Sequence, residues 1–367
     1  MSVHEIIVAV MAAFMLLGAL DRIFGNRLGL GKEFEEGILS LGSLGLAMIG
    51  IICLAPVLAQ LLKPVLVPVY GLLGADPAMF AGSILACDMG GAPLAAELAA
   101  TPESAQFGGL IVGSMLGATI VFTIPVALGI LQPSDRRFLA KGVLAGIVTI
   151  PLGCLAGGLT AGFPIGMLLR NLIPIALFAL LIVLGLLFAE NAMVKGFSVF
   201  GRGVVIVITI GLAAAIVERL TGVVLIRGMA PISDGIEIVG DIAIVLAGAF
   251  PLVYAVTKLL RKPLYKLGGL LGMNEHGAAG MVASLANSIP MFGMMKDMDE
   301  RGKVLNVAFA VSASFVFGDH LGFTAGYDAS MLLPVIVGKL TGGITALFAA
   351  MLFLRKTPKK DAPETER

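Results

Sequence analysis

The residues best able to do chemistry are acidic side chains in strongly apolar surroundings. Asp88 lies in LACDMGGAP (85–93), and Asp319 is followed by His320 in FGDHLGFTAG (317–326). A charged group inside a bilayer costs about 2.5 kcal/mol or more on insertion scales, so each is a functional candidate. A carboxylate beside an imidazole can hold a cation, pass a proton or orient a polar ligand. The alternative for 317–326 is a helix-ending loop whose histidine is simply hydrogen-bonded.

Neutral polar residues in the same segments could complete a site for a small polar ligand. Asn287, in LANSIP (285–290), supplies a donor and an acceptor, although asparagine also caps helix ends. Glycines next to Asp88 would open a helix and free backbone carbonyls. Glu275 lies beside a basic loop, where a helix cap is its alternative role. We predict substrate-binding roles for Asp88, Asn287, Asp319, His320 and Thr324, and gate or ion-site roles for Cys87, Gly90, Gly91, Ser288 and Glu275.

Two other charged residues also fall inside apolar segments. Asp241 and Lys339 have opposite charges, and a buried pair between them would be structural. Lys339 would repel a cationic ligand unless it were paired. We therefore leave Lys339 outside the predicted site.

The composition is that of a polytopic membrane protein. Of the 367 residues, 58% are apolar and 13% are charged, which excludes an ordinary soluble or disordered chain. At about 20 residues per crossing, nine to eleven helices leave only short loops, so we predict one all-α membrane domain over 1–367. The net charge of +1 gives no reason to expect a nucleic-acid partner. HExxH, GxSxG, Walker and GxGxxG motifs are missing, and the three cysteines lie in apolar runs, so we expect no enzyme, cofactor or metal site.

Hydropathy divides the chain into continuous and interrupted apolar segments. Two segments, 77–100 and 272–295, contain Gly, Pro and polar residues, and lipid tolerates such broken helices only where they line a cavity. Nine continuous segments are predicted to cross the bilayer: 3–20, 38–62, 104–131, 138–161, 164–190, 203–219, 236–260, 303–318 and 331–354.

Basic residues set the predicted sidedness, because Lys and Arg concentrate in cytoplasmic loops. Both flanks of the second broken segment are basic, at 258–266 and 296–303. A re-entrant hairpin that enters and leaves on the cytoplasmic side satisfies both flanks. With the first broken segment treated in the same way, we predict an external N-terminus and a cytoplasmic tail at 355–367. Single-cysteine labelling at Lys63 and Lys266 tests this, because only the first should be accessible from outside.

The two broken segments are also similar to each other. KPVLVPVYGLLGADPAMFAGSILACDMGGAP (63–93) aligns with KPLYKLGGLLGMNEHGAAGMVASLANSIP (262–290), and both lead from KP through LLG to a polar break that ends in Pro. We predict repeat 1 at about 1–161, a linker helix at 164–190 and repeat 2 at about 197–354, inverted in the membrane. Inverted repeats with paired broken elements indicate a secondary transporter whose site lies between the breaks. The alternative is the weak self-similarity of any Gly-rich apolar sequence.

Several stretches together resemble a known family. The opening HEIIVAVMAAFMLLGALDRIFG, the CDMGGAP break, the NSIPMF turn and FVFGDHLGFTAG are similar to the ethanolamine-utilisation inner-membrane protein, or ethanolamine permease, family, over essentially the whole chain. The resemblance implies a multi-pass permease of the cytoplasmic membrane that admits ethanolamine. Ethanolamine is an ammonium with a hydroxyl, so the predicted carboxylates suit its charge and Asn287, Thr324 or His320 suit its hydroxyl.

Other functions and modes of action stay open at the level of the sequence. An ion-coupled carrier of another small polar solute is one alternative, since carbonyl-rich breaks also suit Na⁺. A membrane-embedded enzyme or assembly subunit that uses Asp319 and His320 is another. Neither the choice between facilitated and Na⁺- or H⁺-coupled transport nor that between monomer and homo-oligomer follows from the sequence.

Overall fold

The computed structural model describes the backbone of residues 3–355. Most of the predicted tail, from residue 356 onwards, lies outside the described residues. The described side chains leave out residues 3, 4, 190, 260–262, 264, 265, 267 and 355.

Eight helices among the described residues are long and apolar enough to cross a membrane. Their exposed leucine, isoleucine, valine and phenylalanine side chains suit a lipid environment. We therefore describe the chain as an all-α polytopic membrane protein, as the sequence predicts. The eight are α1 (Val3–Ile23), α2 (Leu30–Leu72), α5 (Pro102–Ile130), α6 (Arg136–Thr160), α7 (Ile165–Phe188), α8 (Glu190–Thr221), α9 (Ile232–Leu270) and α14 (Leu332–Arg355).

Six shorter helices lie between the long ones and are too short to cross a bilayer alone. The first pair follows α2, and the other four connect α9 to α14. They are α3 (Ala78–Ile84), α4 (Gly91–Leu98), α10 (Glu275–Ala286), α11 (Ser288–Met294), α12 (Glu300–Ala313) and α13 (Asp319–Tyr327).

One predicted crossing is not a single helix. Hydropathy predicts one continuous crossing over 303–318, but α12 ends at Ala313 and the chain is non-helical until α13 begins. Phe315 has a left-handed φ of 64°. Its N–H donates to the Ser284 carbonyl over 3.1 Å, and the N–H of Phe317 donates to Leu285 over 2.9 Å. Long-range hydrogen bonds to the end of α10 thus stabilise the break. Residues 303–317 contain no Gly or Pro that would predict it.

Each of the two predicted broken segments folds back on itself. We call α3 and α4 hairpin 1 and α10 and α11 hairpin 2. In hairpin 1, the N–H of Ala100 donates to the Asp76 carboxylate over 3.0 Å, which joins its two ends. In hairpin 2, the N–H of Asn274 donates to the Asp299 carboxylate over 2.9 Å. Both hairpins therefore return to the position where they start.

Helices α2 and α9 pack against each other in an antiparallel and reciprocal way. Gly37 of α2 contacts Ala247 of α9, and Gly235 of α9 contacts Ile49 of α2. Gly37 and Gly235 are 198 residues apart, and so are Ile49 and Ala247. Each helix thus places its glycine against the larger residue at the equivalent position of the other helix.

A second reciprocal contact involves the helices that precede α2 and α9. Gly50 of α2 lies against Ile208 and Leu212 of α8, whereas Gly248 of α9 lies against Met11 and Met15 of α1. Gly50 and Gly248 are also 198 residues apart. Small residues allow such close helix approach in lipid, where no hydrophobic force drives helices together.

Helices α6 and α14 cross through paired glycines. Gly153 lies against Gly338 and Gly342, and Gly157 against Gly338. This small-residue crossing brings the two backbones together and closes the bundle behind the two hairpins. Helix α5 runs between the hairpins and is π-helical at Phe107–Gly117 and Thr119–Thr123.

Candidate functional site

An inner cavity of about 220 Å³ lies where the break of hairpin 1 meets the start of α13. Polar residues of α2 form one wall, and aromatic residues of α5 and of the α12–α13 break form another. The cavity thus receives residues from both predicted repeats. Its lining residues include Ser40, Ser43, Asp88, Phe315, Asp319 and His320.

Two predicted site residues face each other in the inner cavity. Oδ1 of Asp88 lies 3.7 Å from Nε2 of His320, close enough for an ionic contact but too long for a hydrogen bond. The side chains are 17% and 4% exposed. Neither Oδ1 of Asp88 nor Nδ1 of His320 has a hydrogen-bond partner among the described residues. Buried polar atoms are nearly always satisfied, so this pair has unused capacity to bind a polar ligand.

Local backbone geometry explains how Asp88 enters the cavity. Helix α3 stops at an extended pair, Leu85 and Ala86, with ψ values of 140° and 150°. A short 3₁₀ turn over Cys87–Met89 then presents the carboxylate, and Gly90, at φ 96°, reverses the chain. Gly91 restarts the helix and donates its N–H to the Ala86 carbonyl over 2.8 Å. A Cβ on Gly90 would collide with Ile51 and strain the positive φ, which explains glycine there.

The α12–α13 break positions Asp319 and His320. The Phe315 ring lies 5.1 Å from the His320 ring and 5.5 Å, edge to face, from Phe122 of α5. This aromatic contact orients the imidazole towards Asp88. Asp319 is half-buried as the first residue of α13 and interacts electrostatically with Asp88.

A larger space, the vestibule, adjoins the inner cavity. It has a volume of about 640 Å³ and is lined by Glu33, Glu36, Tyr254, Lys258, Asn287 and Asp319, among others. Asp319 lines both spaces, so its carboxylate stands at the boundary between them. Three acidic residues, Glu33, Glu36 and Asp319, against one lysine, Lys258, give the lining of the vestibule an excess of negative charge, which attracts cations.

Asn287 and Ser288 form the turn between the two helices of hairpin 2. Oδ1 of Asn287 accepts from the N–H of Ile289 over 2.8 Å, so this side chain caps α11. Asn287 lines the vestibule rather than the inner cavity, and therefore does not stand directly opposite Asp88. The Ser288 hydroxyl is buried and has no partner among the described residues.

The structure does not bring every predicted residue to the site. Thr324 is fully buried in α13, and its hydroxyl donates to the His320 carbonyl over 2.7 Å, outside both cavities. Glu275 is exposed in the first turn of α10 and lines neither cavity, while its neighbour Asn274 caps the helix by accepting from Gly277. The expected pair of Asp241 and Lys339 is not formed. Asp241 is exposed on α9, and Lys339 is buried and bonded elsewhere.

Four charged residues that the fold brings to the site are absent from the set predicted from the sequence: Glu33, Glu36, Lys258 and Lys339. Glu33 and Glu36 resemble an ordinary solvated helix start, so no signal marked them as vestibule residues. The sequence does mark Lys339 as a candidate, since a lysine inside an apolar span has a high free-energy cost of insertion. It lies close enough to Asp88 and Cys87 for electrostatic interaction.

A metal ion is a less suitable ligand for this cluster than an organic cation. Ligand atoms of Cys87, Asp88 and His320 lie within 4.8 Å of one another, a grouping that could hold a metal. However, the nearby ammonium of Lys339 would repel a divalent ion. Asp319 adds a carboxylate beside the three, which suits a bulkier cation with hydrogen-bond donors.

Broken hairpins around a polar, acidic cavity inside a bundle of membrane-crossing helices define the class of protein as a multi-pass membrane transporter. Comparison with known proteins gives the family. A family model described as "Ethanolamine utilisation protein, EutH" matches residues 3–353. The chain belongs to this EutH family, as the resemblance noted from the sequence implied.

Individual relatives are similar along nearly their entire length. A protein of Listeria monocytogenes named "Probable ethanolamine permease EutH" is 62% identical, with 98% of this chain and 97% of that protein covered. One of Escherichia coli with the same name is 51% identical, with 100% and 98% covered. A Bacillus subtilis relative named "Uncharacterized protein YxeR" is 50% identical, with 100% and 98% covered. No solved structure matches the chain.

Proposed function

We propose that this protein is a permease of the cytoplasmic membrane that admits ethanolamine and binds it in the inner cavity. The single observation that carries this site assignment is the buried Asp88 and His320 pair, in which Oδ1 of Asp88 and Nδ1 of His320 have no hydrogen-bond partner among the described residues. The names of the Listeria and Escherichia relatives support the choice of substrate.

The chemistry of the cavity matches both ends of ethanolamine. The molecule has four non-hydrogen atoms, with an ammonium at one end and a hydroxyl at the other. Asp319 and Asp88 supply carboxylates for the ammonium, while His320 and the hydroxyls of Ser40 and Ser43 can bond the hydroxyl. The Phe315 ring beside His320 offers a face for a cation–π contact.

The vestibule connects this site to one side of the membrane, which is the cytoplasmic side in the predicted topology. During uptake a cation would leave Asp319 at the boundary with the inner cavity, pass the tip of hairpin 2 at Asn287, and be released beside Glu33 and Glu36. The Ser288 hydroxyl, which has no hydrogen-bond partner in the part of the chain that the structure describes, lies at the same tip and is a candidate part of the gate. We assign Cys87, Gly90 and Gly91 to the equivalent turn of hairpin 1.

The fold supports the two repeats and the re-entrant hairpins that we propose. The reciprocal contacts of Gly37 with Ala247 and of Gly235 with Ile49 are those expected of two inverted halves at a spacing of 198 residues. The hydrogen bonds from Ala100 to Asp76 and from Asn274 to Asp299 support hairpins that enter and leave on one side. With this topology, the vestibule opens to the cytoplasm.

Uptake of radiolabelled ethanolamine into proteoliposomes tests the function. The assay is run at pH 6, with and without a sodium gradient, and we expect accumulation above that of empty vesicles. Asp88→Asn should reduce uptake, whereas Asp241→Asn, an exposed aspartate within a span, is the matched control and should not. Equal uptake by wild-type vesicles and empty vesicles would refute the permease. Wild-type uptake by a correctly inserted Asp88→Asn variant would refute only the site.

A further inference from the structure

Lys339 is a buried charge that the proposed site does not yet explain. It lies within α14, is 1% exposed, and donates from Nζ to the backbone carbonyl of Ser114 over 2.5 Å. Ser114 belongs to the π-helical part of α5. None of the described carboxylates forms an ion pair with Lys339. A membrane protein that keeps an ammonium at this depth needs a nearby negative charge to offset it.

The titratable groups around Lys339 come from three elements. Lys339 bonds the carbonyl of Ser114, and the adjoining Gly113 lies against the backbone of Cys87, so Cys87 and Asp88 at the break of hairpin 1 are near the ammonium. Cys154 of α6 and His320 of α13 are the other titratable groups that interact with it electrostatically. Asp88 is the one carboxylate in this set. Asp88 therefore both lines the inner cavity and lies near Lys339.

A charge balance follows from these positions. Asp88 and Asp319 together carry two negative charges, Lys339 carries one positive charge, and His320 is taken as neutral. The sum is one negative charge, which a single ammonium ion neutralises. The sum is unchanged if a proton moves from Nζ of Lys339 to the carboxylate of Asp88, so it does not depend on where that proton resides.

We propose that Lys339 neutralises Asp88, so that Asp319 alone balances the charge of the bound ammonium and no coupling cation is needed. Lys339 is then a specificity-determining residue that sets the site to accept one monovalent cation. Two carboxylates without the lysine would require a second cation, such as Na⁺ or a proton, beside the substrate. The proposal rests on the proposed function, because it takes ethanolamine as the ligand.

Four proteins separate this role from a purely structural one. Binding of ethanolamine to the purified full-length protein is measured calorimetrically in sodium-free and sodium-containing buffer. Relative to wild type, we expect Asp88→Asn to weaken binding by about 30-fold, because Lys339 is left unbalanced, and Lys339→Met to weaken it by about 10-fold without sodium. The double variant restores the single negative charge, so it should bind within about 5-fold of wild type, better than either single variant. Sodium should improve binding only for Lys339→Met.

The matched control is Lys141→Met, which removes the same charge from an exposed position on α6. It should bind as wild type does, and a loss equal to that of Lys339→Met would overturn the proposal. A double variant no better than Asp88→Asn, or a wild type that needs sodium to bind, would also overturn it. Should Lys339→Met fail to insert, the double variant and Asp88→Asn alone decide the matter. Absence of ethanolamine binding by the wild type would instead refute the proposed function.

Discussion

The two broken hairpins share a framework but contribute different chemistry. In hairpin 1 the break carries a carboxylate, Asp88, and the accompanying helix α5 is continuous, with π-helical turns. In hairpin 2 the break carries a neutral Asn287, and the accompanying segment is interrupted between α12 and α13. That second interruption supplies Asp319 and His320. One carboxylate, Asp88, thus comes from hairpin 1 itself, and the other, Asp319, comes from the segment beside hairpin 2.

This difference separates what the proposed repeat would preserve from what the proposed site requires. The contacts that close each hairpin and bring the helices together are nearly equivalent in both halves. The ligand-binding groups are not equivalent, because a single small cation needs an asymmetric site. In the proposed repeat, the helix contacts are therefore more alike between the two halves than the ligand-binding groups are.

The largest expected effect is that of changing Asp319, in the segment that is interrupted between α12 and α13. Asp319→Asn removes the carboxylate that lines both the vestibule and the inner cavity, and leaves Asp88 balanced by Lys339. We expect ethanolamine uptake to fall by about 100-fold, measured in proteoliposomes. Asp241→Asn, exposed on α9, is the control and should retain wild-type uptake. A fall of less than about threefold for Asp319→Asn would show that the two sides do not share the charge as we describe.

The second prediction tests how closely the α12–α13 break packs against hairpin 2. A Cβ on Gly318 would collide with the Ala286 carbonyl at the tip of hairpin 2. Gly318→Ala should therefore lower the free energy of unfolding by about 2 kcal/mol, because the backbone must shift. Thermal unfolding in detergent measures it. Gly293→Ala, in α11 of the same hairpin, meets no atom within 4 Å and serves as the control. Equal melting temperatures for the two variants would contradict the close contact.

The third prediction compares the two hairpin closures directly. Asp76→Ala removes a carboxylate that accepts from Ala78 and Ala100, and Asp299→Ala removes one that accepts from Asn274 and Gly302. Each loss should cost about 1–2 kcal/mol of stability, since both carboxylates bond backbone N–H groups at a helix start. Hydrogen exchange should then rise at the ends of the altered hairpin alone. Exchange that rises in both hairpins would indicate that they open as one unit.

The smallest effect is expected at Thr324. Its hydroxyl is bonded within α13 and does not reach either cavity, so Thr324→Val should change the apparent affinity for ethanolamine by less than about twofold. Substrate titration of initial uptake rates measures this. Ser40→Ala, in the wall of the inner cavity, is the positive comparison and should weaken affinity more. An affinity loss at Thr324 that exceeds the loss at Ser40 would place the substrate on the other side of α13.

Parts of the site could be predicted because polar side chains are costly in lipid, so the few that lie within apolar segments of the sequence are easily recognised. Asp88, Asp319 and His320 stand out as polar groups in apolar segments, and the structure brings all three to one cavity. The two hairpins are visible for the same reason, through their glycines, prolines and polar turns.

Other parts depend on contacts between distant segments and leave no local mark. The interruption at Phe315 lies in an apolar run and is held by carbonyls of Ser284 and Leu285. Lys339 is outside the predicted site because it would repel a cation and because the partner considered for it is Asp241, whereas Asp88 lies near it in space and far away in sequence. Glu33 reaches the vestibule through the packing of α2 against α9, which no local sequence pattern shows.

The position of Asp319 has one more consequence. An ion that moves between two separate binding places must normally give up one set of partners before it acquires the next, and the bare intermediate sets the height of the barrier. Here one carboxylate belongs to both spaces. The ammonium can stay paired with the two carboxylate oxygens of Asp319 while it moves from one space to the other. The ion therefore keeps a counter-charge throughout the passage.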